Sequence, residues 1–237
     1  SSTVAWNSQV YEKTTPDADG TVDDNWYLTY QSDPVQGTPG HENSSAPPAT
    51  NYTITEIQDT TGTGSSDSPH AGEMVRTTGI VTGVYATESL YTIQDGTGAF
   101  TGIWISDATT VAEGDEVTLK GMVSESCGLT MITADSSGIN SSGNTVPAAE
   151  VLATGAVAAE AWEGVLVYTT GVCDDENPDD KFSNMPEGKG DYGEWTINDG
   201  TGSIRIDDLG YLYEPVLAKT YEVTGPLYFS FYNFKIE

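Results

Sequence analysis

The chain is poor in basic side chains. Its 237 residues carry 8 Lys and Arg against 36 Asp and Glu, for a formal net charge of −28. The basic residues are scattered, and two are arginines, Arg76 and Arg205. Non-specific nucleic-acid binding draws its affinity from clustered cations that neutralise phosphates, so this composition argues against a nucleic-acid partner. Two histidines, His41 and His70, both lie in turn-rich segments, away from any Ser or Cys nucleophile motif. A phosphate-binding glycine loop, a CxxC pair and an HExxH motif are all missing. The expectation is a protein that is not an enzyme. No apolar run reaches the length of a membrane-crossing helix. Two cysteines, Cys127 and Cys173, leave a disulfide and two free thiols both open. An opening Ser1-Ser2-Thr3 fits either a mature, processed N-terminus or a trimmed chain. The acidity fits solubility in extracellular or salt-rich water.

Helical periodicity is scarce too. The nearest approach, residues 146 to 163, is rich in Ala and Glu. Short alternating runs of Thr, Val, Ile and aromatics instead read as strands, and the apolar fraction of 37% suffices for small cores.

What is abundant is self-similarity. Val75-Arg-Thr-Thr-Gly-Ile-Val81 returns as Val167-Tyr-Thr-Thr-Gly-Val-Cys173. Leu90-Tyr-Thr-Ile-Gln-Asp-Gly-Thr-Gly98 returns as Glu194-Trp-Thr-Ile-Asn-Asp-Gly-Thr-Gly202, and Val117-Thr-Leu-Lys-Gly121 as Tyr221-Glu-Val-Thr-Gly225. The offset grows from 92 (171 − 79) to 104 (197 − 93), so an insertion of 12 residues lies between Cys173 and Glu194. A repeat this long marks two copies of one domain. The Asp-Gly-Thr-Gly segments, set between alternating strands, read as hairpin turns. Gly79, Gly121, Gly171 and Gly225 fall inside strands, where glycine marks a sharp bend. The expected fold is all-β: two tandem OB-like β-barrels behind an extended N-terminal arm. The boundaries are residues 1–50 for the arm and linker, 51–147 for the first barrel and 148–237 for the second.

Residues 73–132, with Tyr91-Thr-Ile-Gln-Asp95, Gly102-Ile-Trp-Ile105 and Glu113-Gly-Asp-Glu-Val117 ahead of Gly121-x-Val123, resemble the OB-fold domains of secreted bacterial nucleases. Residues 160–237 are similar to the segment that follows there, through Glu163-Gly-x-Leu-Val167 and Phe231-Tyr-Asn-Phe-Lys235. Tyr11-Glu-Lys13, Asp17-Ala-Asp-Gly20, Asn25-Trp26 and Gly37-Thr-Pro-Gly-His-Glu-Asn43 resemble the end of a lamin-tail domain. The nuclease resemblance implies a separate catalytic domain that this sequence does not contain. Trp104 and Trp195 could stack on bases, but the positive groove that such a face needs is absent, so the resemblance does not carry nucleic-acid binding.

Two acidic clusters have the oxygen-rich composition of calcium loops. One is Asp17, Asp19, Asp23 and Asp24; the other is Asp174, Asp175, Asp179 and Asp180. Thr3 to Tyr11 alternates like a half-buried strand with Val4, Trp6 and Val10 to bury. An unpaired strand of this kind seeks a partner edge. The expected function is therefore a non-catalytic structural or interaction protein at the cell surface, assembling with copies of itself or other surface proteins by strand addition into a filament. The alternative is an accessory module of a secreted nuclease or phosphatase.

Overall fold

The computed structural model describes residues 9–13, 26–30, 49–179 and 192–237. Two compact units divide the chain, Ser1–Pro48 and Ala49–Glu237. In the first, β1 (Gln9–Lys13) pairs antiparallel with β2 (Trp26–Tyr30), Gln9 opposite Tyr30 and Lys13 opposite Trp26. The N-terminal strand therefore has a partner in its own chain over Gln9–Lys13, where a single extended arm was expected. Val4 and Trp6 lie outside the described residues.

The second unit is all-β apart from short helical turns. Its first half contains β3 (Thr50–Asn51), α1 (Ile54–Gln58), β4 (Met74–Tyr85), β5 (Leu90–Gln94), β6 (Gly102–Ser106), β7 (Glu116–Ser126) and β8 (Leu129–Ser141). Its second half repeats the order with β9 (Glu150–Val151), α2 (Thr154–Val157), β10 (Leu166–Asp175), β11 (Trp195–Asn198), β12 (Ser203–Ile206), β13 (Thr220–Ser230) and β14 (Asn233–Ile236). Each half is one six-stranded sheet. In the first, β4-β5-β6-β8-β7 returns to β4 through the β4–β7 pairing. In the second, β11-β12-β14-β13-β10 returns to β11. The five principal strands of each half thus close into a ring, which leaves few edges open.

Alternating apolar residues fill each ring. Val75, Val81, Ile93, Ile103, Val117 and Leu119 belong to the first core. Val167, Ile197, Ile204 and Leu227 belong to the second. The bend glycines sit where strands cross closely. A Cβ on Gly121 would lie 2.4 Å from the Thr133 carbonyl, and one on Gly225 would lie 1.9 Å from that of Glu237. The Asp-Gly-Thr-Gly hairpins have a second task that sequence reasoning missed. Asp95 accepts from the Ile54 amide at 2.8 Å, and Asp199 accepts from the Thr154 hydroxyl at 2.7 Å. Each turn thereby holds the first residue of a short helix against its ring. Hydroxyl and amide donors from Thr201 and Thr154 hold the Asp199 carboxyl below the usual range.

The two rings share an apolar seam. Trp104, fully buried, donates its indole N–H to the Leu227 carbonyl at 2.8 Å. Its ring meets Tyr85 at 5.1 Å and Tyr228 edge-on at 4.9 Å. Gly102 and Gly164 bring the backbones together so closely that a Cβ on Gly102 would lie 2.2 Å from the Gly164 carbonyl.

Candidate functional site

Both tryptophans that could have stacked on bases are buried: Trp104 in the seam and Trp195 in the second core. The same face of the second ring carries different chemistry. Register places Trp104 opposite Thr92 and Met131, and Arg205 opposite Thr196 and Lys235. Thr92 and Thr196 are repeat equivalents. Trp104, Met131 and Leu90 of the first ring therefore correspond to Arg205, Lys235 and Glu194 of the second. In the first ring this face is covered by Tyr228 and Phe229. In the second it floors a cavity of ≈ 580 Å³.

The floor is a chain of ion pairs. Lys235, 2% exposed, pairs with Glu194 and, at 3.0 Å, with Asp207. Arg205 pairs with Glu194 and, at 3.0 and 3.1 Å, with Asp179. Burial alone would lower the Lys235 pKa, but the Glu194 and Asp207 carboxylates outweigh it and raise the value. Tyr192, Tyr228 and Phe231 form the walls.

A second buried carboxyl lies at the seam. Glu163, 1% exposed, accepts from the Thr130 amide at 2.8 Å, while its Oε2 has no partner. Burial, with Glu160 and Glu125 nearby, pushes its pKa well above the carboxylate range. Burial pushes Glu160 up to about 7, with help from Glu125 and Asp67. These folded-state values lie above the unfolded ones. The associated stability is full below the ordinary carboxylate range and is lost as pH rises through the folded values. The melting temperature should fall between pH 5 and pH 8. Glu163→Gln should flatten that slope and, at pH 8, stabilise by about 1–3 kcal/mol, the cost of a buried unsatisfied group. That is roughly 2–12 °C in a thermal melt.

No protein-family model and no curated protein matches this chain.

The described acidic residues expected to hold calcium turn to separate neighbours. Asp174 accepts from Thr196 at 2.5 Å, Ser203 at 2.6 Å and Asn198 at 3.2 Å. Asp175 accepts from the Asn177 amide at 3.2 Å, and Asp179 belongs to the Arg205 pair. Asp180 and the cluster Asp17, Asp19, Asp23 and Asp24 lie outside the described residues. The cysteines are free thiols, Cys127 exposed in the β7–β8 turn and Cys173 buried in the second core, so the disulfide alternative is not formed. His70 stacks on Tyr52 at 3.9 Å and bonds Glu73 at 2.9 Å. Its ring is tied into a local turn. His41 lies outside the described residues.

One backbone feature separates the repeats. Along β7, Glu116–Ile80 to Met122–Met74 pairs with β4 on one side, and β8 pairs with it from Leu129 to Ser141 on the other. β13 pairs with β10 over Thr220 to Pro226, but β14 covers it from Leu227 to Ser230. β10 lines Thr220–Gly225 on one side, and Glu237 reaches the other at Pro226. Val117 and Leu119 are buried; their equivalents Tyr221 and Val223 are half-buried. An aromatic ladder adjoins β13. Tyr221 meets Tyr213 at 5.7 Å, and Tyr213 stacks on Tyr211 at 6.4 Å. Tyr211 is 76% exposed.

Proposed function

We propose that this chain is a non-catalytic extracellular subunit that assembles by strand addition, with the Thr220–Gly225 edge of β13 as acceptor. What supports this reading is the apolar surface beside β13, where Tyr211 is 76% and Leu212 67% exposed on a strongly acidic chain. An open strand presents a row of N–H and C=O groups that templates pairing. An incoming strand gains main-chain hydrogen bonds, with alternate side chains setting register. It would also cover Tyr221 and Val223. The exposed Tyr211 and Leu212 beside the edge widen the apolar contact.

The donor is the N-terminal strand pair of a second copy. A lone two-stranded pair is marginal in water and gains from a third strand. A donor at one end and an acceptor at the other make a head-to-tail contact, which propagates into a fibre unless the rotation closes a ring. The nuclease-accessory alternative has less support, because the two tryptophans are buried and both cations of the cavity floor are already paired.

Sedimentation velocity over a range of concentrations tests the assembly. Wild-type chain should form a growing series of oligomers. Thr224→Lys, which sets an exposed charge beside the edge, should shift it to monomer while melting as a folded protein. A peptide of residues 1–13 should cap the series at short lengths. Oligomers unchanged by both the variant and the peptide would refute the acceptor assignment.

A further inference from the structure

The cavity on the second ring is a built site, and its chemistry selects a ligand class. The repeat supplies the reference. At three equivalent positions an apolar side chain has given way to a charged one: Leu90 to Glu194, Trp104 to Arg205, Met131 to Lys235. The first ring needs apolar groups there because the second ring packs on them. The second ring keeps five charges on that face, two positive and three negative, counting Asp207 and Asp179 with the three above. Burying charges is expensive unless they are paired, so their retention on one wall of a cavity calls for a reason.

The turn above them gives a second observation. β13 and β14 are joined by Phe231 and Tyr232, at φ 48° and 64°. Two successive left-handed residues make the hairpin turn that favours Asn-Gly, and bulky side chains are strained there. The equivalent turn of the first ring is Cys127-Gly128, at φ 55° and 93°. The turn itself therefore does not demand aromatics. Phe231 is 84% exposed, lines the cavity and stands 5.6 Å from the Lys235 Nζ. An exposed, strained aromatic over a polar floor is a platform for a ligand face.

The floor sums to −1 (two cations, three carboxylates) on a chain of −28, which disfavours anions. A cation would meet carboxylates already held by Lys235 and Arg205. A purely apolar ligand would strip water from Arg205 and Asp207, the more exposed of the five charges. What fits is a neutral ring with hydroxyls at its edge and C–H groups on its face. Paired charges supply fixed donors and acceptors for the hydroxyls, and Phe231, Tyr192 and Tyr228 supply the apolar contact. The volume lies within the range of small-molecule sites. We infer that this cavity binds a neutral saccharide, with Phe231 stacking on a sugar face and the Glu194–Lys235–Arg205 array bonding its hydroxyls.

Titration calorimetry of the full chain with cellotriose, xylotriose, maltotriose and triacetylchitotriose, against trigalacturonate as the anionic comparison, tests this. At least one neutral trisaccharide should bind, and trigalacturonate should not. Phe231→Gly removes the ring but suits the left-handed turn. It should weaken binding at least tenfold, while the melting temperature holds or rises. Absence of binding by all four neutral sugars, equal or tighter binding of trigalacturonate, or undiminished binding by Phe231→Gly would each overturn the inference.

Discussion

Lys235→Met should destabilise the Ala49–Glu237 unit by about 3–5 kcal/mol, the usual cost of removing one partner from a buried ion pair. The methionine chain fills most of the lysine volume, so lost packing contributes little. The loss is electrostatic: Asp207 keeps its charge without the ammonium that offset it, and Glu194, 6% exposed, keeps only Arg205. One feature distinguishes this from a packing defect. Adding Glu194→Gln to Lys235→Met should cost less than the sum of the single changes, since both act on one network. Urea unfolding of the four proteins measures this. Additive losses would show that the network does not hold the fold.

Trp104→Ala should cost a similar amount, about 3–5 kcal/mol, by a different route. The indole is fully buried between Tyr85 and Tyr228, and its removal opens a cavity that two large rings cannot close. The Leu227 carbonyl keeps a donor, the Gly164 amide at 2.8 Å, so lost packing dominates. Trp104→Phe keeps most of the contact and loses the indole bond, for about 1 kcal/mol. In a thermal melt the alanine variant should fall by roughly 6–20 °C. Because Trp104 lies in the seam, the two rings should also begin to unfold separately, giving two calorimetric transitions where wild type gives one. A small shift with a single transition would mean that the seam is not what couples them.

Much of the second unit was legible in the sequence because the repeat displays it twice. Thr-Thr-Gly strands, Asp-Gly-Thr-Gly hairpins and bend glycines all sit in the expected elements, since period-two alternation and turn residues are local signals. Less was legible where structure depends on partners distant in sequence. Five residues of α1 and four of α2 are too few for a helical period; what fixes them is a side chain 41 and 45 residues away, Asp95 and Asp199. The burial of Trp104 was not legible because strand alternation does not reveal which face a second domain covers, whereas Trp195 packs into the core of its own ring. The cavity floor was missed for a related reason. Glu194, Arg205 and Lys235 are separate in sequence and converge through the β11-β12-β14 pairing. The signal was present in the repeat itself, as charged residues replacing apolar ones at equivalent positions. The acidic run from Asp174 to Asp180 drew notice for its density, yet Asp174 and Asp179 serve hydroxyls and Arg205.

Strand addition at β13 is tested most directly by amide hydrogen exchange on full chain at low and at high concentration. In dilute protein, outward-facing amides of Thr220–Gly225 should exchange quickly, while those of the equivalent Glu116–Gly121, covered by β8, stay protected. On assembly, the Thr220–Gly225 amides should become protected and the Glu116–Gly121 amides should not change. Protection of Thr220–Gly225 in dilute monomer, or assembly that leaves their exchange fast, would contradict the account.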